Sequence, residues 1–122
     1  MNTNYLTLSK DGETLVYCDR KATGEVVIPK GVTAIGIEAF RDCKKLSKIT
    51  IPAGVTTIEH MAFHGCRNLT RIDIPAGVTT IKTGVFEECT SLTDITLPEG
   101  VTTIGKRTCK NGAVNIRKSG NH

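Results

Sequence analysis

The chain contains no tryptophan, and aromatic residues of any kind make up only 4% of its 122 residues. A domain of this size usually leans on a few large rings. Here Ile, Val, Leu, Thr and Cys stand in their place, a mixture that favours strands. No apolar run approaches the ~20 residues needed by a membrane-spanning helix, so membrane insertion is not expected. The opening stretch, MNTNYLTLSKDGETL, lacks the apolar core of a signal peptide. A full-length chain that starts this way is expected in the cytoplasm; if an export signal has been trimmed, the expectation becomes secreted or cell-surface. Net charge is small, at +4, too small by itself to imply a nucleic-acid partner. The length suits one domain, residues 1–122.

Proline is scarce as well, and the four copies are evenly placed: Pro29, Pro52, Pro75 and Pro98, each 23 residues after the last. Around them a unit recurs without insertion. Residues 28–50 read IPKGVTAIGIEAFRDCKKLSKIT, residues 51–73 IPAGVTTIEHMAFHGCRNLTRID, and residues 74–96 IPAGVTTIKTGVFEECTSLTDIT; LPEGVTTIGKRTCKNG begins a fourth copy at Leu97 and then decays. A fixed period in the twenties is the signature of a stacked solenoid. One unit cannot bury enough apolar surface to offset the entropy of ordering its backbone, so the units must stack on one another and be capped at the ends.

Before the repeats, Tyr5–Leu8 and Thr14–Cys18 are β-prone runs joined through Asp11-Gly12, a hairpin signal because glycine accepts positive φ. Residues 1–27 are therefore expected to form an N-terminal cap, 28–112 the repeats, and 113–122 a cap strand and tail. Within a repeat, Leu69, Ile72 and Ile74 fit a strand whose inward residues alternate. Pro75 ends it by lacking an N–H. Val78–Ile81 is a second short extended run. Val85, Phe86, Cys89 and Leu92 fit a turn or two of helix, or of 3₁₀ helix, with one buried face.

The pattern L-x-x-I-x-I-P-x-G-V-T-x-I-x-x-x-A-F-x-x-C resembles the BspA-type leucine-rich repeat, with three close copies over Ile28–Thr96 and looser ones beside them. The resemblance implies an α/β, β-rich, right-handed leucine-rich-repeat solenoid, with a parallel sheet on its concave side, short helical turns opposite, and the N-terminal hairpin as cap. It implies bacterial surface or secreted relatives, and some from parasitic protists, linked to adhesion and host interaction.

On such a scaffold two rows of outward residues are expected on the concave face: Glu25, Lys48, Arg71 and Asp94, then Val27, Thr50, Asp73 and Thr96. Solvated mixed charge is the bland reading of these rows; a protein-binding face is the sharper one. Four or five strands offer about 400–500 Å² of flat area, below the ~800 Å² per partner of a standard interface. A lone copy is therefore expected to bind weakly, to use its flanks, or to act in multiples, as a monomer or weak oligomer.

No other feature competes strongly. Cys43, Cys66 and Cys89 share one repeat position and read as buried free thiols, since stacked parallel Cβ vectors suit neither a bridge nor a tetrahedral metal site. His60 and His64 lack a third ligand and read as exposed surface. Gly100–Lys106 imitates a phosphate-binding loop, yet Arg107 stands where its hydroxyl residue belongs. Thr33, Thr56, Thr79 and Thr102 form a column that reads as β-forming rather than ice-ordering. No Ser-His-Asp set or carboxylate pair breaks the repeat pattern, so neither an enzyme nor a cofactor or metal is expected. After Glu99 the chain carries Lys106, Arg107, Lys110, Arg117 and Lys118 and no acid. That end could bind polyanions weakly, although no aromatic is there to stack bases, which disfavours nucleic acid.

Overall fold

The computed structural model describes residues 5–105 and the backbone of 115–118. The hairpin forms where Asp-Gly placed it: β1 (Leu6–Leu8) pairs antiparallel with β2 (Thr14–Cys18). Gly12 takes φ 77°, and the Asp11 carboxylate accepts hydrogen bonds from Glu13 N–H at 2.9 Å and Ser9 Oγ at 2.7 Å. These two donors hold the Asp11 carboxyl below its ordinary pKa, the backbone N–H contributing most.

The main strands are β3 (Gly24–Val27), β5 (Leu46–Thr50), β7 (Arg71–Asp73), β9 (Asp94–Leu97) and β11 (Asn115–Lys118). Their partners across each coil are β4 (Ala34–Ile35), β6 (Thr57–Ile58), β8 (Thr80–Ile81) and β10 (Thr103–Ile104). The short strands stack in parallel behind the hairpin, giving one six-stranded sheet in the order β1-β2-β4-β6-β8-β10. Its register steps by one repeat, Ala34 to Thr57 to Thr80 to Thr103. The main strands pair β3-β5-β7 and, separately, β9-β11. The result is a β-solenoid of about four coils with parallel sheets. β3, within the expected cap segment, already pairs with β5.

The core is a set of columns along the stack. Phe40 and Phe63 have ring centroids 5.2 Å apart, Phe63 and Phe86 6.0 Å, and the second pair is almost coplanar in orientation at 8°. Beside them run the buried columns Ile35–Ile58–Ile81 and Leu46–Leu69–Leu92. Cys43, Cys66 and Cys89 are free and buried, as a packed thiol ladder requires; Cys18, off that repeat position, is also free and buried, and Cys109 lies outside the described residues. Cys66 Sγ donates to Phe40 O at 3.1 Å and Cys89 Sγ to Phe63 O at 3.0 Å. The Cys89 thiol beside Cys66, and then burial, push the Cys66 pKa up.

One expectation is corrected. The segments read as short helical turns contain no helix among the described residues. In residues 36–46 the N–H groups of Ala39, Arg41 and Cys43 bond three residues back, to Gly36, Glu38 and Phe40. Those of Glu38, Phe40 and Asp42 bond instead across to His60, Ala62 and His64 of the next coil, at 3.0, 2.7 and 2.7 Å. An α-helix would direct all of them to residues four back along the same chain, and a 3₁₀ helix all of them to residues three back. Alternate residues are thus used for stacking, and the chain must kink to allow it. Two columns take up the kink with positive φ: Glu38 (56°), Met61 (56°) and Gly84 (69°), then Asp42 (59°), Gly65 (76°) and Glu88 (65°).

Candidate functional site

The strand periodicity sends Val26, Ile49, Ile72 and Ile95 into the core and their neighbours out. All eight residues of the two expected rows are exposed or half-exposed. Register aligns Glu25 with Lys48 and Arg71, and Val27 with Thr50 and Asp73. The Glu25 carboxylate accepts from Thr50 Oγ1 at 3.2 Å and lies 3.7 Å from Lys48 Nζ. Arg71 Nε lies 3.6 Å from Asp73 Oδ2, with both side chains about two-thirds exposed. Ion pairs this exposed contribute little to stability, so these side chains are available to a partner.

The rows are not continuous. The main sheet ends at β7, and β9 pairs with β11 instead. At this break lies a cavity of about 410 Å³ whose lining includes Arg71, Asp73, Asp94 and Thr96. Ile74, whose equivalents Ile28, Ile51 and Leu97 are buried, is half-buried in its wall. Four of the eight expected residues therefore converge on one concave feature with a partly apolar floor, while Glu25, Val27, Lys48 and Thr50 lie on the continuous sheet beside it. The repeat pattern contains no sign of this break; the third coil is as regular in sequence as the second.

The other candidates resolve as follows. Thr33, Thr56 and Thr102 donate their hydroxyls to backbone carbonyls of the preceding coil (Glu13, Thr33 and Thr79), so that column braces the stack. Thr70 and Ser47 do the same on the main-strand side. His60 is exposed, but His64 is not: its side chain is 18% exposed, with Nε2 3.4 Å from Glu87 Oε1, a carboxylate that is itself buried. The same turn that buries Val85 and Phe86 also buries Glu87 and, beside it, most of His64, which the sequence presented as surface. Among the described residues no three His, Cys, Asp or Glu side chains converge to hold a metal ion, and no helix is long and apolar enough to cross a membrane. Thr103–Ile104, inside the loop-like Gly100–Lys106 stretch, is strand.

A family model described as "BspA type Leucine rich repeat region (6 copies)" matches residues 15–119. No curated protein matches the chain. Among solved structures, a leucine-rich repeat protein of T. pallidum is 24% identical over 88% of this chain, with a TM-score of 0.72. The pneumococcal vaccine antigen PcpA is 25% identical over 82%, with a TM-score of 0.79. A leucine-rich cell surface protein of Faecalibacterium prausnitzii is 27% identical over 96%, with a TM-score of 0.58. The chain spans 65%, 25% and 38% of these three proteins, respectively.

Proposed function

This chain belongs to the BspA-type leucine-rich repeat family, and from that premise we propose that it is a non-enzymatic protein-interaction module that binds through its main-strand face. The observation that carries the reading is the cavity at the break between β7 and β9, where Arg71, Asp73, Asp94 and Thr96 meet over a half-buried Ile74. Charged groups at such a rim select a partner, and an apolar floor supplies the affinity. Glu25, Val27, Lys48 and Thr50 extend the surface along the sheet. Its small area favours weak binding or repeated copies.

A second reading is an adhesive unit of a surface protein. It is supported by two structural relatives, one a vaccine antigen and the other a cell surface protein. The reading through a basic C-terminal end rests on side chains outside the described residues.

The test is affinity capture from the source cells, with the wild-type chain and a Lys48→Glu, Arg71→Glu double variant as baits. Proteins held by the wild type should be lost from the variant, whose fold is checked by circular dichroism. Undiminished capture by a folded variant moves the site off this face.

A further inference from the structure

Four tight turns stack along the edge of the main-strand face. They are closed by Ala22 N–H to Asp19 O at 3.1 Å, Leu46 to Cys43 at 3.4 Å, Leu69 to Cys66 at 3.2 Å and Leu92 to Cys89 at 3.1 Å. The closing Ala and Leu residues are buried, so the two residues inside each turn are forced outward. Those pairs are Arg20-Lys21, Lys44-Lys45, Arg67-Asn68 and Thr90-Ser91. Five of the six residues in the first three turns are cationic, and the fourth turn has no charge.

Stacked coils place these turns ~5 Å apart. Elsewhere in the stack cations also meet acids one coil away, as Lys48 meets Glu25 on the main-strand face. Here like charges are stacked at close range, an arrangement that costs stability. The fold does little to relieve it. Lys21, Lys44 and Lys45 are exposed, with no carboxylate within ion-pair distance among the described residues. Arg67 reaches Glu88 only at 3.9 Å. Asp19 and Asp42 lie beside the ledge, but Asp19 accepts the Lys21 backbone N–H at 2.8 Å and Asp42 faces Arg41. Arg20 is folded back, donating to Cys18 O at 2.7 Å and covering the Tyr17 ring at 4.7 Å.

We propose that the ledge formed by Lys21, Lys44, Lys45 and Arg67 binds a linear sulfated polysaccharide, independently of the protein-binding face. A row of ammonium groups at coil spacing complements an anion repeated along a flexible strand. The chemistry favours a sulfated glycan over nucleic acid. None of the eight turn residues is aromatic, and the ring face of Tyr17 is already occupied by Arg20, so the bases of a single strand would find no stacking platform; a duplex, which needs none, is the competitor in the test below.

The probe is a fluorescein-labelled heparin octasaccharide, followed by anisotropy at several salt concentrations. Lys44→Glu with Lys45→Glu is compared with Lys10→Glu plus Lys30→Glu, a control that changes net charge equally at exposed sites away from the ledge. The ledge variant should bind at least ~10-fold more weakly, with a shallower salt dependence, and the control should stay within ~3-fold of wild type. Arg117→Ser with Lys118→Ser should leave binding unchanged. Because glutamate could disturb the turns, Lys44→Gln with Lys45→Gln is measured too and should lose affinity in the same direction. Equal loss in ledge and control variants, or loss only at Arg117 and Lys118, overturns the proposal. So does a 20-base-pair DNA duplex that binds through the ledge as tightly as the octasaccharide.

Discussion

The residues that hold this molecule together are those whose side chains meet their own counterparts one coil away. Phe63 shows this most clearly, lying between Phe40 and Phe86 with no exposed surface. Phe63→Ala removes both ring contacts and leaves a cavity that the stacked backbones cannot close, so it should cost about 3–5 kcal/mol in urea unfolding. A loss below about 1 kcal/mol would mean the rings do not form a column. Such columns could be read from the sequence, because equal spacing in a stack means equal surroundings. Glu87 could not. It shares a repeat position with Arg41 and His64, three polar residues that look like surface, yet it is 8% exposed. Its burial follows from how the turn backbone is folded, which side-chain types do not reveal.

At the scale of elements, the strands and the hairpin were legible, since alternation and Asp-Gly are local signals. The turn segments were not. Val85, Phe86, Cys89 and Leu92 have helical spacing, but spacing cannot show whether an N–H bonds along its own chain or across to the next coil. Here the alternate groups go across, and the left-handed residues that permit this are Glu38, Met61, Asp42 and Glu88 as well as Gly65 and Gly84. Only the two glycines hinted at it. Equivalent positions should therefore respond with opposite sign. Glu88→Gly should raise stability by about 1 kcal/mol, as relief of the left-handed conformation outweighs the added chain entropy. Gly65→Ala should lower it by about 1–3 kcal/mol, because alanine is strained at the left-handed φ of 76° and its Cβ would also displace the Asp42 carboxylate. Chemical denaturation of the two variants checks both; the same sign for the pair would contradict the turn geometry described.

Over the described residues the molecule is a one-dimensional stack in which each short strand pairs with the strands of the adjacent coils, and its surfaces follow from that. The main-strand face presents mixed charge and a break, and its flank presents a run of cations. The break between β7 and β9 had no counterpart in the repeats, so the site was legible as a set of residues but not as a cavity. The stack itself is tested most directly by removing one unit. Deleting residues 51–73 joins Thr50 to Ile74 in register. Deleting only residues 51–72 leaves Asp73 as an extra residue between Thr50 and Ile74, so the joined coil is one residue out of period and must bulge or mispair with its neighbours. Urea unfolding followed by circular dichroism should show the 23-residue deletion folded and cooperative, with reduced stability and a smaller denaturant dependence, and the 22-residue deletion less stable again because of its misfit coil. Equal stability of the two deletions would contradict the stack.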